Sequence, residues 1–178
     1  MDINSFVIGF KKGKKSGGGF PGDKYFEGGY TEVVLENATK LRQGAFYQDS
    51  IMETLSLPKV TELSSYCVNT CSNLSTILLA EGLAKIPANV FSNCVKLTSL
   101  VIPSSVTEVS WNALMACGGL ETVTFLGKPT KIGSAFNSTA LPNSVKTIYC
   151  PWKEGEVPGF PWGATNLENI FYEYSKGE

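Results

Sequence analysis

The stretch NVFSNCVKLTSLVIPSSVTEV, residues 89–109, carries the pattern that decides the fold. Its cysteine, Cys94, is preceded by Cys71 and followed by Cys117, in each case at a distance of 23 residues. Three cysteines at one interval are consistent with a disulfide framework, with a metal site, or with one structural position that recurs in a repeating fold. The remainder of the sequence distinguishes between these three interpretations.

An apolar position, preceded in most units by threonine or serine, recurs along the chain at intervals of 22, 22, 23, 23 and 25 residues. Each occurrence begins a short alternating apolar triplet, which is typical of a strand with one buried face. Proline follows three of the triplets and ends the strand, because it cannot donate to a ladder. One unit cannot bury its own apolar side, so stacked units must share a core. The six starts are Val33, Leu55, Ile77, Leu100, Val123 and Ile148.

The recurrence assigns the three cysteines to one position of a repeating coil. The equivalent positions in the first and fifth units hold Asp49 and Thr139, which a disulfide ladder or a metal site would not easily accept. Stacked coils lie about 4.8 Å apart, so distance alone does not exclude pairing. We expect Cys71, Cys94 and Cys117 to be buried free thiols. The segments ANVFSNC and WNALMAC are interpreted as short helical turns behind the sheet.

The segment AKIPANVFSNCVKLTSLVIPSSVTEVSWNALMACGGLETV resembles the BspA-like leucine-rich repeat, whose unit reads I-G-x-x-A-F-x-x-C-x-x-L-x-x-I-x-I-P-x-S-V-T. IPSSVTEV and IGSAF match the two halves of that unit, and the resemblance covers residues 30–150. It implies an α/β fold: a right-handed solenoid with a parallel sheet on one face and short helical turns or irregular coil behind it. Family members are usually bacterial or protist surface proteins that bind host proteins or other cells.

The two ends of the chain resemble a different group of proteins. INSFVIGFKKGKKSGGG is similar to the start, and IYCPWKEGEVPGFPWGATN to the closing segment, of structural proteins from phages and prophages of Gram-positive bacteria. The first unit, with Ala38 and Asp49 where the repeat has apolar or cysteine positions, is expected to be a degenerate capping repeat. We expect residues 1–29 to form a flexible basic and glycine-rich arm, residues 30–150 about five coils, and residues 151–178 an aromatic cap.

Composition disfavours several classes of function. The chain has no histidine, which removes the commonest general base and metal ligand, and its carboxylates show no convincing catalytic pair. We therefore expect no enzyme activity, no catalytic residues, no cofactor and no metal. A net charge of −1 gives no general attraction to nucleic acid. No apolar stretch is long enough to span a membrane, so membrane insertion is not expected.

The outward positions of the sheet are the predicted ligand-contact face. Threonine and valine also suit strands for purely structural reasons, so this face has a structural as well as a functional interpretation. Trp111, on an outer turn, is either an additional contact or a packing residue. One outward column contains Thr54, Thr76, Ser99, Thr122 and Thr147, and the other Val34, Ser56, Leu78, Val101, Thr124 and Tyr149.

These features predict a non-enzymatic recognition or adhesion module that binds a protein or glycan at a bacterial or host cell surface. The alternative is a structural component of a phage or prophage tail or particle that binds only its own assembly. Homo-oligomerisation is compatible with both. The expected location is the cell surface or the virion, with a cytoplasmic stage before release because no signal peptide is recognised.

Overall fold

The computed structural model describes residues 10–12, 30–132 and 141–177. Within these ranges the chain forms short strands joined by turns. The first five coils each have a long strand followed by a short strand, and a turn segment follows the short strand in the first four. The strands are β1 (Phe10–Lys12), β2 (Tyr30–Val34), β3 (Lys40–Leu41), β4 (Thr54–Leu57), β5 (Glu62–Leu63), β6 (Thr76–Leu79), β7 (Lys85–Ile86), β8 (Ser99–Ile102), β9 (Glu108–Val109), β10 (Thr122–Phe125), β11 (Lys131–Ile132), β12 (Thr147–Tyr149) and β13 (Asn169–Phe171).

The longer strands build the principal sheet surface in two parts. One part has the order β1-β2-β4-β6, with β1 antiparallel to β2, and the other has the order β13-β12-β10-β8 with parallel pairing throughout. In-register pairing places the apolar repeat starts opposite one another, as in Leu55↔Ile77 and Leu100↔Val123. The predicted parallel-strand repeat solenoid is therefore confirmed.

The shorter strands form a second surface that is held by side-chain pairs as well as backbone bonds. Strand β3 pairs with β5, and β7, β9 and β11 form a three-stranded sheet. The first residue of each strand has a charge opposite to that of its paired neighbour: Lys40 contacts Glu62 at 2.6 Å, and Glu108 is paired with both Lys85 and Lys131. The lysine Nζ of Lys85 holds the pKa of Glu108 below its usual range. The carboxylates of Glu62 and Glu108 are therefore paired with lysines of neighbouring coils and have a structural role.

The turn segments of the described coils are not helical. Of the two alternatives expected behind the sheet, the structure has irregular coil, because two positions in each of the first four turn segments have positive φ. A left-handed residue interrupts the run of backbone bonds that a helix needs. The turns bond instead to the next coil, as in Phe46 N to Cys67 O at 2.7 Å. The left-handed residues are Gly44, Tyr66, Asn89 and Asn112 at the first position, and Gln48, Thr70, Asn93 and Ala116 at the second.

A single core runs between the two sheet surfaces and the turns. Residues from every described coil, including Leu55, Phe91 and Phe125, are fully buried and belong to one hydrophobic cluster. Each such side chain contributes roughly 1.5–3 kcal/mol by leaving water. Because each coil supplies only one layer of this cluster, neighbouring coils must be present for any coil to be stable.

The first coil replaces the cysteine with a carboxylate that has its own structural role. Asp49 Oδ1 accepts hydrogen bonds from Ile51 N at 2.8 Å and Met52 N at 2.9 Å. A side chain that bonds the backbone two and three residues ahead stabilises the turn that leads into the next strand. Asp49 therefore closes its turn locally. Thr139, the equivalent expected in the fifth unit, lies outside the described residues, as does most of the predicted basic arm.

The sheet continues one strand beyond the last repeat start that the sequence pattern identified. Strand β13 pairs with β12 in parallel, with Ile148 opposite Ile170, which is 22 residues further on. The intervening residues include Pro151 but no cysteine after Cys150, and Asn169 rather than threonine or serine precedes Ile170, which is why the pattern ended at Cys150. The described strands thus continue the solenoid into the segment expected to be a cap.

Close contact between coils makes a specific prediction for two glycines. A Cβ added at Gly127 would overlap the backbone of Ser104 in the preceding coil, whereas a Cβ at Gly118 meets nothing. We expect Gly127→Ala to lower the free energy of unfolding by about 1–3 kcal/mol through overpacking. Gly118→Ala, the matched control, should change it by less than about 0.5 kcal/mol. Urea denaturation of both variants measures the difference, and equal stabilities would refute this account of coil packing.

Candidate functional site

The outward side chains of the principal sheet form two straight columns. Register places Thr54 beside Thr76, and Thr122 between Ser99 and Thr147. Asn169 extends this hydroxyl column onto the last strand. The structure therefore brings together the residues predicted for the first column and adds an amide at its end. The second column contains Val34, Ser56 and Leu78 on the first part of the sheet, and Val101, Thr124, Tyr149 and Phe171 on the second.

The second column is the more apolar of the two and is open to solvent. Leu78 is 56% exposed, Val101 40% and Phe171 46%. These side chains lie on different coils, so the exposed apolar surface extends along the solenoid. No residue in either column carries a charge from β4 through β13. An uncharged strip of this kind fits a ligand that is recognised by apolar contact and hydrogen bonding.

The hydroxyl groups of the sheet face differ from those elsewhere in their bonding. Thr107 Oγ1 donates to Ala84 O at 3.3 Å, and Thr130 Oγ1 donates to Thr107 O at 3.3 Å. Among the residues that the structure describes, the side chains of Thr76, Ser99, Thr122, Thr147 and Asn169 form no such bond. Their donors and acceptors are available to a ligand.

Three aromatic rings lie together at the carboxyl-terminal end of the sheet face. The rings of Tyr149 and Phe171 stack at 4.8 Å with an angle of 9°, and the ring of Tyr174 tilts against Tyr149 at 4.9 Å. Contact between the rings restricts their rotamers, so little side-chain entropy remains to be lost on binding. Only Tyr149 was predicted to lie on this face. The 22-residue interval from Ile148 to Ile170 was the signal that would have placed Phe171 beside it.

Trp111 lies apart from the sheet columns. It follows the short strand β9, begins a turn segment and is 46% exposed, and Met115 in the same segment is 41% exposed. The structure therefore brings together the predicted sheet residues but leaves Trp111 on another surface of the coil. Its role as a ligand contact remains a prediction.

The other two tryptophans are buried in the hydrophobic core, within the segment 151–178 that was expected to be a cap. Trp152 is 2% exposed and Trp162 is 4% exposed. Both rings contact Phe125, at 5.2 Å and 5.6 Å, and Phe160 packs edge-on against each of them. Trp162 Nε1 donates to Pro158 O at 3.1 Å. These rings extend the apolar core over the end of the solenoid and are not available as a sugar-stacking platform.

The repeated cysteines lie in the core and point their thiols at the backbone. All five cysteines of the chain are buried and free. The Sγ of Cys71 donates to Phe46 O at 2.9 Å, that of Cys94 to Val68 O at 3.2 Å, and that of Cys117 to Phe91 O at 3.0 Å. Each thiol therefore satisfies a carbonyl oxygen of the preceding coil. In the described part of the chain, no group of three or more potential ligands could hold a metal ion.

Several acidic side chains of the described residues are engaged with other groups. Glu81 accepts from Ser104 Oγ at 2.9 Å, Glu121 contacts Lys146 Nζ at 3.0 Å, and Glu156 contacts Lys128 Nζ at 3.2 Å. The Lys128 ammonium group lowers the pKa of Glu156. Each of these acids thus links one part of the solenoid to another. The described residues include no helix that could cross a membrane.

The stacked strands, shared core and recurring cysteine position define a leucine-rich repeat solenoid. The family described as the BspA type leucine rich repeat region matches residues 24–141 with six copies of its unit. This match covers most of the 178-residue chain, and the chain belongs to that family. None of the curated proteins matches it.

Solved structures share this fold at low sequence identity. The leucine rich repeat protein of T. pallidum superposes with a TM-score of 0.63 at 23% identity, over 79% of this chain and 69% of the other. A leucine rich cell surface protein from Faecalibacterium prausnitzii A2-165 gives 0.55 at 20% identity, over 82% of this chain and 33% of the other. The pneumococcal vaccine antigen PcpA gives 0.53 at 17% identity, over 82% and 42%. This chain thus spans less than half the length of the latter two.

The buried thiols make a prediction for alkaline pH. Burial raises the pKa of Cys67 and of Cys117 from 9.0 to about 12. A thiol that ionises only in the unfolded chain favours unfolding, so stability present below pH 9 should be lost as pH rises toward 12. Each such thiol contributes a slope of about 1.4 kcal/mol per pH unit.

We expect Cys117→Ala to make the fall in unfolding free energy above pH 9 shallower by about that amount, although the variant starts from a lower stability. Urea denaturation across this pH range measures both slopes. Val95→Ala, which changes an exposed residue, is the control and should retain the wild-type slope. An unchanged slope in Cys117→Ala would show that this thiol ionises equally in both states.

Proposed function

We propose that this chain is a non-enzymatic recognition module that binds a protein or glycan through the outward face of its principal sheet. The observation that carries the proposal is the exposed, uncharged apolar column that runs across successive coils through Leu78, Val101 and Phe171. Exposed apolar surface of this kind favours association, so the strip is the part of the molecule best suited to contact a partner. Unbonded hydroxyl groups run beside it and supply hydrogen-bonding specificity.

Location at a cell surface is part of the proposal. The family is one of repeat modules, and the F. prausnitzii structure is described as a leucine rich cell surface protein. A surface role fits a binding face without catalytic groups. Adhesion to another cell or to a host protein is the corresponding activity, and neither nucleic acid nor membrane lipid is the proposed ligand.

The alternative is a structural component of a phage or prophage particle, which the resemblance of the two chain ends favours. Fractionation of the source strain after prophage induction distinguishes the two settings. Antibody signal on the cell envelope supports the adhesive module. Signal confined to sedimented particles, together with no binding to cells or matrix proteins, favours the structural alternative.

Two valines of similar exposure allow a matched test of the binding face. Val101 lies on the sheet face and is 40% exposed, whereas Val95 lies outside the strands and is 47% exposed. Val101→Glu places a charge in the uncharged column, and a ligand would have to desolvate that charge on binding. We expect at least a tenfold loss of affinity, about 1.4 kcal/mol, whereas Val95→Glu should bind as the wild type does.

The measurement uses the purified full chain and its two variants on a panel of immobilised extracellular-matrix proteins, bacterial cell-wall preparations and neutral glycans. Thermal unfolding checks that both variants remain folded. Equal binding by the wild type and Val101→Glu to a surface that captures the chain would exclude the sheet face as the site.

A further inference from the structure

In the continuous part of the sheet, from β8 to β13, the distance between outward side chains on alternate coils favours one ligand conformation. Val101 and Tyr149 lie on the same column with Thr124 between them. Because neighbouring strands are about 4.8 Å apart, the valine and the tyrosine are separated by about 9.6 Å, with the hydroxyl-bearing Thr124 between them. Phe171 stands one strand further on.

A polyproline II helix matches this separation. It has three residues per turn and rises about 3.1 Å per residue, so residues i and i+3 project from the same side about 9.3 Å apart. Two turns of an α-helix advance about 10.8 Å. In an extended strand, residues on one face recur about every 6.7 Å. Of these three repeat distances, that of polyproline II is the closest to the separation of about 9.6 Å between Val101 and Tyr149.

The hydroxyl column supplies what the backbone of such a ligand lacks. A polyproline II segment makes no internal hydrogen bonds, so its carbonyl oxygens need external donors. Ser99, Thr122, Thr147 and Asn169 form a column alongside the apolar residues, and their side chains have no hydrogen-bond partner among the described residues. Donors therefore recur along the same direction as the apolar contacts.

The aromatic end of the face offers a rigid apolar contact for proline rings. The ring of Tyr149 contacts the rings of Phe171 and Tyr174, at 4.8 Å and 4.9 Å. Aromatic side chains that line an exposed surface are the usual means by which proteins bind polyproline II segments. Since neither column carries a charge between β8 and β13, the ligand that fits is itself uncharged.

We propose that the surface from Val101 to Phe171 binds an uncharged, proline-containing protein segment in the polyproline II conformation. Residue i contacts Val101 and Thr124, residue i+3 contacts Tyr149 and Phe171, and the hydroxyl column donates to the peptide carbonyl oxygens. The site spans three strand intervals, about 14 Å, which corresponds to about five ligand residues. This inference rests on the proposed function and specifies its ligand.

The test uses a fluorescein-labelled oligoproline of about ten residues and the full chain, with affinity measured by fluorescence anisotropy. We expect saturable binding, little dependence on salt, and at least a tenfold loss of affinity in Tyr149→Ala. A glycine–serine peptide of equal length should not bind. Val95→Ala, an exposed substitution outside the sheet, should bind oligoproline as the wild type does. Thermal unfolding establishes that both variants are folded.

Other outcomes overturn the inference. Absence of oligoproline binding, or equal binding by the wild type and Tyr149→Ala, refutes it. The proposed function survives that result if Val101→Glu still abolishes capture by cells, matrix proteins or glycans. Binding of a neutral β-linked oligosaccharide that is lost in Tyr149→Ala, without oligoproline binding, assigns the same surface to a glycan and refutes the peptide ligand.

Discussion

The structure depends on the registry between successive coils. Backbone bonds such as Phe91 N to Ala113 O join each turn to the next, and parallel pairing joins the strands, so every position of one coil lies beside its equivalent in the next. The equivalent residues of successive coils therefore form a column. A buried column must consist of side chains that fit a fixed space and leave no carbonyl unsatisfied. Cys94 meets both conditions, because it is small, apolar and donates to Val68 O.

The same registry restricts the outer columns in a different way. Like charges at the strand spacing repel one another, and the short-strand column avoids this by alternating Lys40, Glu62, Lys85, Glu108 and Lys131. The fold therefore accepts charge on an outer column if the signs alternate. The principal sheet does not use this solution from β4 onward, since its two columns are uncharged. Stacking alone does not require that neutrality, and the proposed ligand surface would account for it.

Much of the fold could be predicted because the number of residues per coil is visible in the sequence as the spacing of its apolar and cysteine positions. Strand starts such as Leu100 and Val123 follow from alternation, and the cysteine position follows from its recurrence. The turn conformation could not be predicted in this way. Val90, Phe91 and Leu114 suit a helix by pattern, but the left-handed residues around them are set by bonds to the neighbouring coil. The local signal is only partial, because Gly44, Asn89, Asn93 and Asn112 favour a left-handed conformation whereas Gln48, Tyr66, Thr70 and Ala116 do not.

The candidate site was less predictable than the fold because its most distinctive residues lie in the cap. Trp152 and Trp162 close the apolar core, and this core supports β13, whose outward residue is Phe171. One segment thus supplies buried rings to the core on one side and the outward ring of Phe171, part of the proposed binding face, on the other. The repeats supply a neutral hydroxyl and aliphatic track that varies little from coil to coil. The aromatic rings at its end break that uniformity, and under the proposed function they are the place along the solenoid where a ligand is held most tightly.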